Sequence, residues 1–182
     1  MLTFLLAAVA ASAIAAFADY RTGEIPNWLT LGGIVAGVLG HFVYGWALGG
    51  FGSGLTEAAF ALGGLLFCSI APGILYWKGG MGGGDLKLYA AIGALCQPML
   101  GIEVQMYSLV IAAIVAPARL AYEGKLFRVL ASSFALLLNP LRRADKRREV
   151  PAETLTWFRL GPAIFGGTLV ALVIRSYALL SR

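Results

Sequence analysis

The sequence predicts an all-α fold, a polytopic membrane protein of about six transmembrane helices plus a cytoplasmic amphipathic helix in the membrane interface. Three observations carry that reading. Of the 182 residues, 59% are hydrophobic and only 13% charged, with a mean hydropathy of +0.82. Apolar runs of about 20 residues, long enough to cross a hydrocarbon core, recur along the chain. Under this reading, all of the 14 Lys and Arg residues except Arg175 and Arg182 fall on one side of the membrane. A soluble core of this length has too few charges to coat so much apolar surface. One membrane domain covering residues 1–182 is therefore expected.

The first helix runs from Leu2 to Ala18 and is rich in Ala, so a neighbour can pack closely against it. No Lys or Arg precedes Arg21, which leaves the run without the basic flank of a secretory signal; it is expected to stay as a transmembrane helix. A short polar stretch, Asp19 to Asn27, follows. Pro26 suits the first turn of a helix, so the second helix starts near it and continues to Trp46, with Trp28 and Trp46 as interfacial anchors. Ala47 to Thr56 is a Gly-rich connection. The third helix runs from Glu57 to Trp77, with a kink expected at Pro72-Gly73. After the glycine loop Lys78 to Gly84, the fourth helix starts at Asp85 and reaches Leu100. Leu86 to Leu100 spans only about 22 Å against a core of about 30 Å, which sets Asp85 slightly below the membrane surface.

Pro98 and Gly101 mark the turn into a fifth helix, Val104 to Ala118. Lys125 to Asn139 is amphipathic and is expected to lie in the interface; Arg142 to Arg148 is a solvated basic run suited to anionic lipid. The sixth helix runs from Gly161 to Leu180. The excess of basic residues makes their side cytoplasmic, with both termini outside.

Several function classes drop out. The net charge of +5 fixes topology rather than nucleic-acid binding, and no nucleic-acid partner is expected. Cys68 and Cys96 lie in apolar runs without CxxC spacing and read as small buried hydrophobes. His41 is the only histidine and lacks partners for a metal; a hydrogen-bonded packing role is expected, and no metal site. The glycine loop is followed by no Lys-Ser/Thr, so it is not a phosphate loop.

What remains is a pair of carboxylates. Asp19 closes the first apolar run and Asp85 opens the fourth helix, both at the cytoplasmic edge. Asp85 alone reads as a helix cap, and Asp19 alone as a surface ion satisfied by Arg21. Together they form a candidate catalytic pair. Like charges in a low-dielectric site cannot both ionise, so one carboxylate takes a proton from water while the other, protonated, polarises a peptide carbonyl. That chemistry needs no metal or organic cofactor. Gly82, Gly83 and Gly84 would let a substrate backbone approach, and Glu24, Pro26, Asn27 and Lys87 flank the aspartates as candidate substrate-binding or tuning residues, the bland reading of Glu24 and Lys87 being solvated charges.

The segment Gly82-Gly83-Gly84-Asp85-Leu86-Lys87-Leu88 resembles the GxGDxKL signature of the type IV prepilin peptidase family of membrane aspartic proteases. Asp19 followed by Ile25-Pro26-Asn27 is similar to the family's other block, and Gly161-Pro162 with Gly166-Gly167 is more weakly similar to its last-helix pattern. The resemblance implies an aspartic endopeptidase that removes the leader of a prepilin or pseudopilin at the cytoplasmic face of the inner membrane, with Asp19 and Asp85 as the catalytic aspartates and no cofactor. The short Asp19 to Asn27 stretch has no room for the cysteine-rich insert of the bifunctional members, so methyl transfer is not expected; the chain resembles the short tight-adherence (Flp) peptidases. Archaeal preflagellin peptidases and presenilin-like proteases are the alternatives, and a small proton-coupled transporter or secretion subunit is the non-enzymatic one. The sequence does not identify the particular substrate or the oligomeric state.

Overall fold

The computed structural model describes residues 2–122, Gly124, Phe127 and 159–181. Among these 91% are helical and none forms a strand. The chain divides into two units, Met1–Ile111 with Arg159–Arg182, and Ala112–Phe158. Of the second, only the end of one helix and the isolated residues Gly124 and Phe127 are described. The expected interfacial helix, apart from Phe127, and the basic run from Arg142 lie outside the described residues.

Helix α1 spans Leu2–Thr22, four residues past the expected end at Ala18. Thr22 Oγ1 donates to Ala18 O at 2.8 Å and Arg21 complements the helix C-terminus, so the polar residues extend the helix instead of ending it. Gly23, with φ 74°, stops it, donating its N–H to Asp19 O at 2.9 Å. That left-handed cap is one a glycine adopts without penalty.

Helix α2 spans Asn27–Trp77, with Pro26 in an extended conformation (φ −62°, ψ 133°) just before it. Only Gly49 and Gly50 leave helical geometry within it. There the chain folds back: a Cβ on Gly45 would lie 2.7 Å from Ser53 O, and one on Gly54 would lie 2.8 Å from Phe42 O. In a straight helix residues 42 and 54 would stand about 18 Å apart. α2 is thus a helical hairpin with arms 27–48 and 51–77. The connection expected over Ala47 to Thr56 shrinks to two glycines, because its remaining residues contain no proline or charge to interrupt a helix. Pro72 and Gly73 keep helical backbone angles, so the helix runs on past the proline. Pro72 removes one hydrogen bond, but it and Cys68 are among the most deeply buried side chains, and their packing holds the helix in register.

Helix α3 spans Gly83–Tyr122 and is broken only at Gln97 (φ 61°, ψ 174°). A Cβ on Gly101 would lie 3.1 Å from Gly93 Cα, so this helix also folds back, giving arms 83–96 and 98–122. Pro98 takes the first position after the break, where its missing N–H costs nothing. Helix α4 spans Gly161–Leu180, with Pro162 in its first turn. α1, α2, α3 and α4 are the four described helices long and apolar enough to cross a membrane.

The two hairpins meet where side chains are absent. A Cβ on Gly37 would lie 2.7 Å from the Ala94 carbonyl carbon, and one on Gly64 would collide with Gly93 O. α1 packs along α4, where Ser12 Oγ and Thr168 Oγ1 share a buried 2.8 Å hydrogen bond. The core between these elements is built from Leu5, Leu88, Tyr89, Ile92 and Ile164, and it extends under the two polar turns through Ile25 and Met81. As expected, His41 is a packing residue: it is buried, stacks on Phe4 at 3.8 Å, and bonds Leu95 O through Nε2 at 2.9 Å. Gln97 Nε2 lies 3.3 Å from His41 Nδ1 and donates to Glu57 Oε2 at 2.6 Å, which ties the α3 break to the α2 hairpin.

Candidate functional site

Asp19 occupies the last turn of α1 and is only 6% exposed. A carboxylate this deep requires a donor. Arg21, the neighbour that sequence suggested for it, is exposed and stacks over the Phe17 ring at 4.8 Å. Residues two apart on a helix do not face each other, which is why the pair does not form. The donor instead comes from 142 positions away: Gly161 N–H bonds Asp19 Oδ2 at 3.0 Å. Gly161 opens α4, so the carboxylate rests on the free amides and positive dipole end of that helix. A Cβ on Gly161 would lie 2.8 Å from Asp19 Oδ2, so no larger residue allows this approach. Two residues earlier, Arg159 Nη1 donates to Tyr20 O, holding the end of α1 against the start of α4.

Asp85 sits in the first turn of α3 and is half-buried. Its carboxylate lies back over the start of its own helix, where a Cβ on Gly82 would come within 3.1 Å of Asp85 Oδ2. Gly83 and Gly84 belong to this first helical turn rather than to a loop, which corrects the sequence reading and leaves Gly82 as the last loop residue before the helix. Their small size serves packing: a Cβ on Gly84 would lie 3.2 Å from Ile25 Cβ, so the α3 start seats directly on the α1–α2 turn. The preceding turn is closed by Gly79 N–H to Tyr76 O at 2.9 Å and Gly80 N–H to Leu75 O at 2.8 Å, and buried Met81 anchors it.

The two turns are fastened together. Lys87 Nζ donates to Asn27 Oδ1 at 2.8 Å, joining the first turns of α3 and α2 at the exposed surface. Both residues were expected near the aspartates as substrate contacts; the structure shows them as partners of each other. Pro26 sets the entry into α2, and Glu24 is exposed on the turn, with its backbone N–H 3.3 Å from Thr22 Oγ1. Asp19 and Asp85 flank the same junction, where Gly84 packs against Ile25, and the Asp19 charge bears on Asp85. Each is met by a different helix N-terminus, an arrangement that lowers the cost of holding two acids together. Such a pair can share a proton and supply both a base and an acid to one bound group.

The sequence reading placed Gly161 at the start of the sixth helix and in a weak motif, and used Arg159 only in the charge count. The signal available was the Gly-Pro start of an apolar run, which marks a helix N-terminus but does not show what it faces.

No curated protein and no solved structure matches the chain. The profile of the type IV leader peptidase family matches residues 5–117, which hold both aspartates, the Asn27–Lys87 bond and both hairpin turns, and the chain belongs to that family of peptidases.

Proposed function

We propose that the chain is a membrane aspartic endopeptidase that removes the leader peptide of a prepilin or pseudopilin at the cytoplasmic face of the inner membrane. The observation that carries this reading is that Asp19, held by the Gly161 amide, and Asp85, in the first turn of a helix seated on Ile25, flank one junction. One carboxylate takes a proton from water, whose oxygen attacks the scissile carbonyl. The other carries the shared proton and donates a hydrogen bond to the carbonyl oxygen. Collapse of the tetrahedral intermediate breaks the C–N bond, and the leaving amine takes a proton from the pair. Gly82 and the exposed Glu24 remain candidate substrate contacts, and a substrate strand that reached Asn27 or Lys87 would exchange with their mutual bond.

In this reading each of the six helical arms crosses the bilayer, both termini are outside, and residues 1–182 act as one peptidase domain. The fold-back at Gly49–Gly50 and at Gln97 supports it, since a straight 51-residue helix would be about 76 Å long, more than twice a hydrocarbon core. No resident cofactor is required by the chemistry. The test is Asp19→Asn and Asp85→Asn, each co-expressed with a short prepilin of basic leader, glycine and apolar segment. Either change should reduce processing by at least about 100-fold; normal processing by both variants would overturn the assignment.

A further inference from the structure

We propose that the end of the molecule far from the aspartates holds an anionic phospholipid, with its phosphate at Arg175 and an acyl chain in the adjoining cavity. The cavity has a volume of about 560 Å³ and is lined by Leu2 and Leu5 of α1, Phe60 of α2, Gln97 and Leu100 of α3, and Arg175 of α4. That volume lies within the range of natural small-molecule pockets. Its walls are apolar except at Gln97 and Arg175.

Arg175 is the feature that selects the occupant. It is exposed on α4, and the residues one turn away on the same face, Ala171, Leu172, Ala178 and Leu179, are all apolar. Among the described residues no carboxylate pairs with it. A cation in an apolar stripe of a membrane-spanning helix needs an anion or a route to the headgroups. Arg175 lies fourteen residues beyond Gly161, about 21 Å along the helix axis from the Asp19 contact. In a hydrocarbon core of about 30 Å, that depth is within reach of the opposite headgroup layer. A guanidinium beside an apolar cavity of this size matches a ligand with a phosphate and an aliphatic tail.

The test uses the full chain purified in a mild neutral detergent and titrated with phosphatidylglycerol, phosphatidylcholine or inorganic phosphate, with retention read by native mass spectrometry and stability by thermal unfolding. The wild type should retain phosphatidylglycerol about 5-fold better than phosphatidylcholine. Arg175→Gln should erase that preference and Arg175→Lys should restore most of it. Ala178→Trp, which fills the cavity and leaves the guanidinium, should lower retention of both lipids. Equal retention of the two lipids by the wild type, a preference unchanged in Arg175→Gln, or protection by inorganic phosphate equal to that of phosphatidylglycerol would overturn the proposal. A dimer that retains no lipid and dissociates in Arg175→Gln would also overturn it, making a second copy the occupant. No substrate enters these measurements, so the result is independent of the peptidase reading.

Discussion

Gly161 holds Asp19 through one charge-assisted hydrogen bond and through having no side chain. Gly161→Ala would push a methyl group into the carboxylate and displace it by a fraction of an ångström or more. Misplacement of a reacting group on this scale costs up to about 100-fold in rate. We expect Gly161→Ala to lower kcat by about 10- to 100-fold with little change in KM and no loss of helical circular dichroism; unchanged kcat would show that Asp19 does not depend on the α4 amide. The pair as a whole sets a second expectation. At low pH both carboxylates are protonated and no base remains; at high pH both are ionised and no acid remains. A plot of kcat/KM against pH should therefore be a bell whose two limbs belong to the pair rather than to either residue. A profile with one limb across the range in which the chain stays folded would contradict a shared proton.

At the scale of the elements, the Asn27–Lys87 bond joins two turns that carry the two aspartates, though neither aspartate takes part in it. Asn27→Ala, Lys87→Met and the double variant form a thermodynamic cycle. The bond is exposed, so each change should cost no more than about 1 kcal/mol of stability, and the double variant should cost less than the sum of the singles. Strict additivity in thermal unfolding would mean that the bond does not form in solution. The sequence made the apolar runs and much of their punctuation readable: Gly-Gly at 49–50 lies where a break was expected, and Asp85 is in the first turn of its helix, as placed. The turn expected at Pro98 and Gly101 falls instead at Gln97, and the fifth arm starts at Pro98 rather than Val104. The sequence did not show that α1 continues past Asp19, since Asp, Tyr and Arg are as compatible with a helix end as with a loop. The pairing of Asp19 with Gly161 was out of reach, because a contact across 142 positions depends on which helices pack, and one sequence does not encode that locally.

For the whole molecule, the six-arm reading makes a directional statement. The Gly49–Gly50 turn and the Lys78 to Gly82 turn lie at opposite ends of the arm 51–77. With Cys68 and Cys96 replaced by alanine, single cysteines at Gly50 and Gly80 should react with a membrane-impermeant maleimide from opposite faces of sealed vesicles, Gly80 from the cytoplasmic face. Labelling of both from one face would exclude that topology. Cys68 and Cys96 are buried, so the background in the parent chain should already be low.

The Gly161 contact also bears on the chain's synthesis. Synthesis runs from the N-terminus, so Asp19 and Asp85 are made before Gly161, whose amide holds the first of them. Until α4 enters the bilayer, the Asp19 carboxylate lacks its donor and the end of α1 lacks its tie to Arg159. Under the proposed function, a chain that ends before Gly161 would hold both acids without that amide and should process no prepilin.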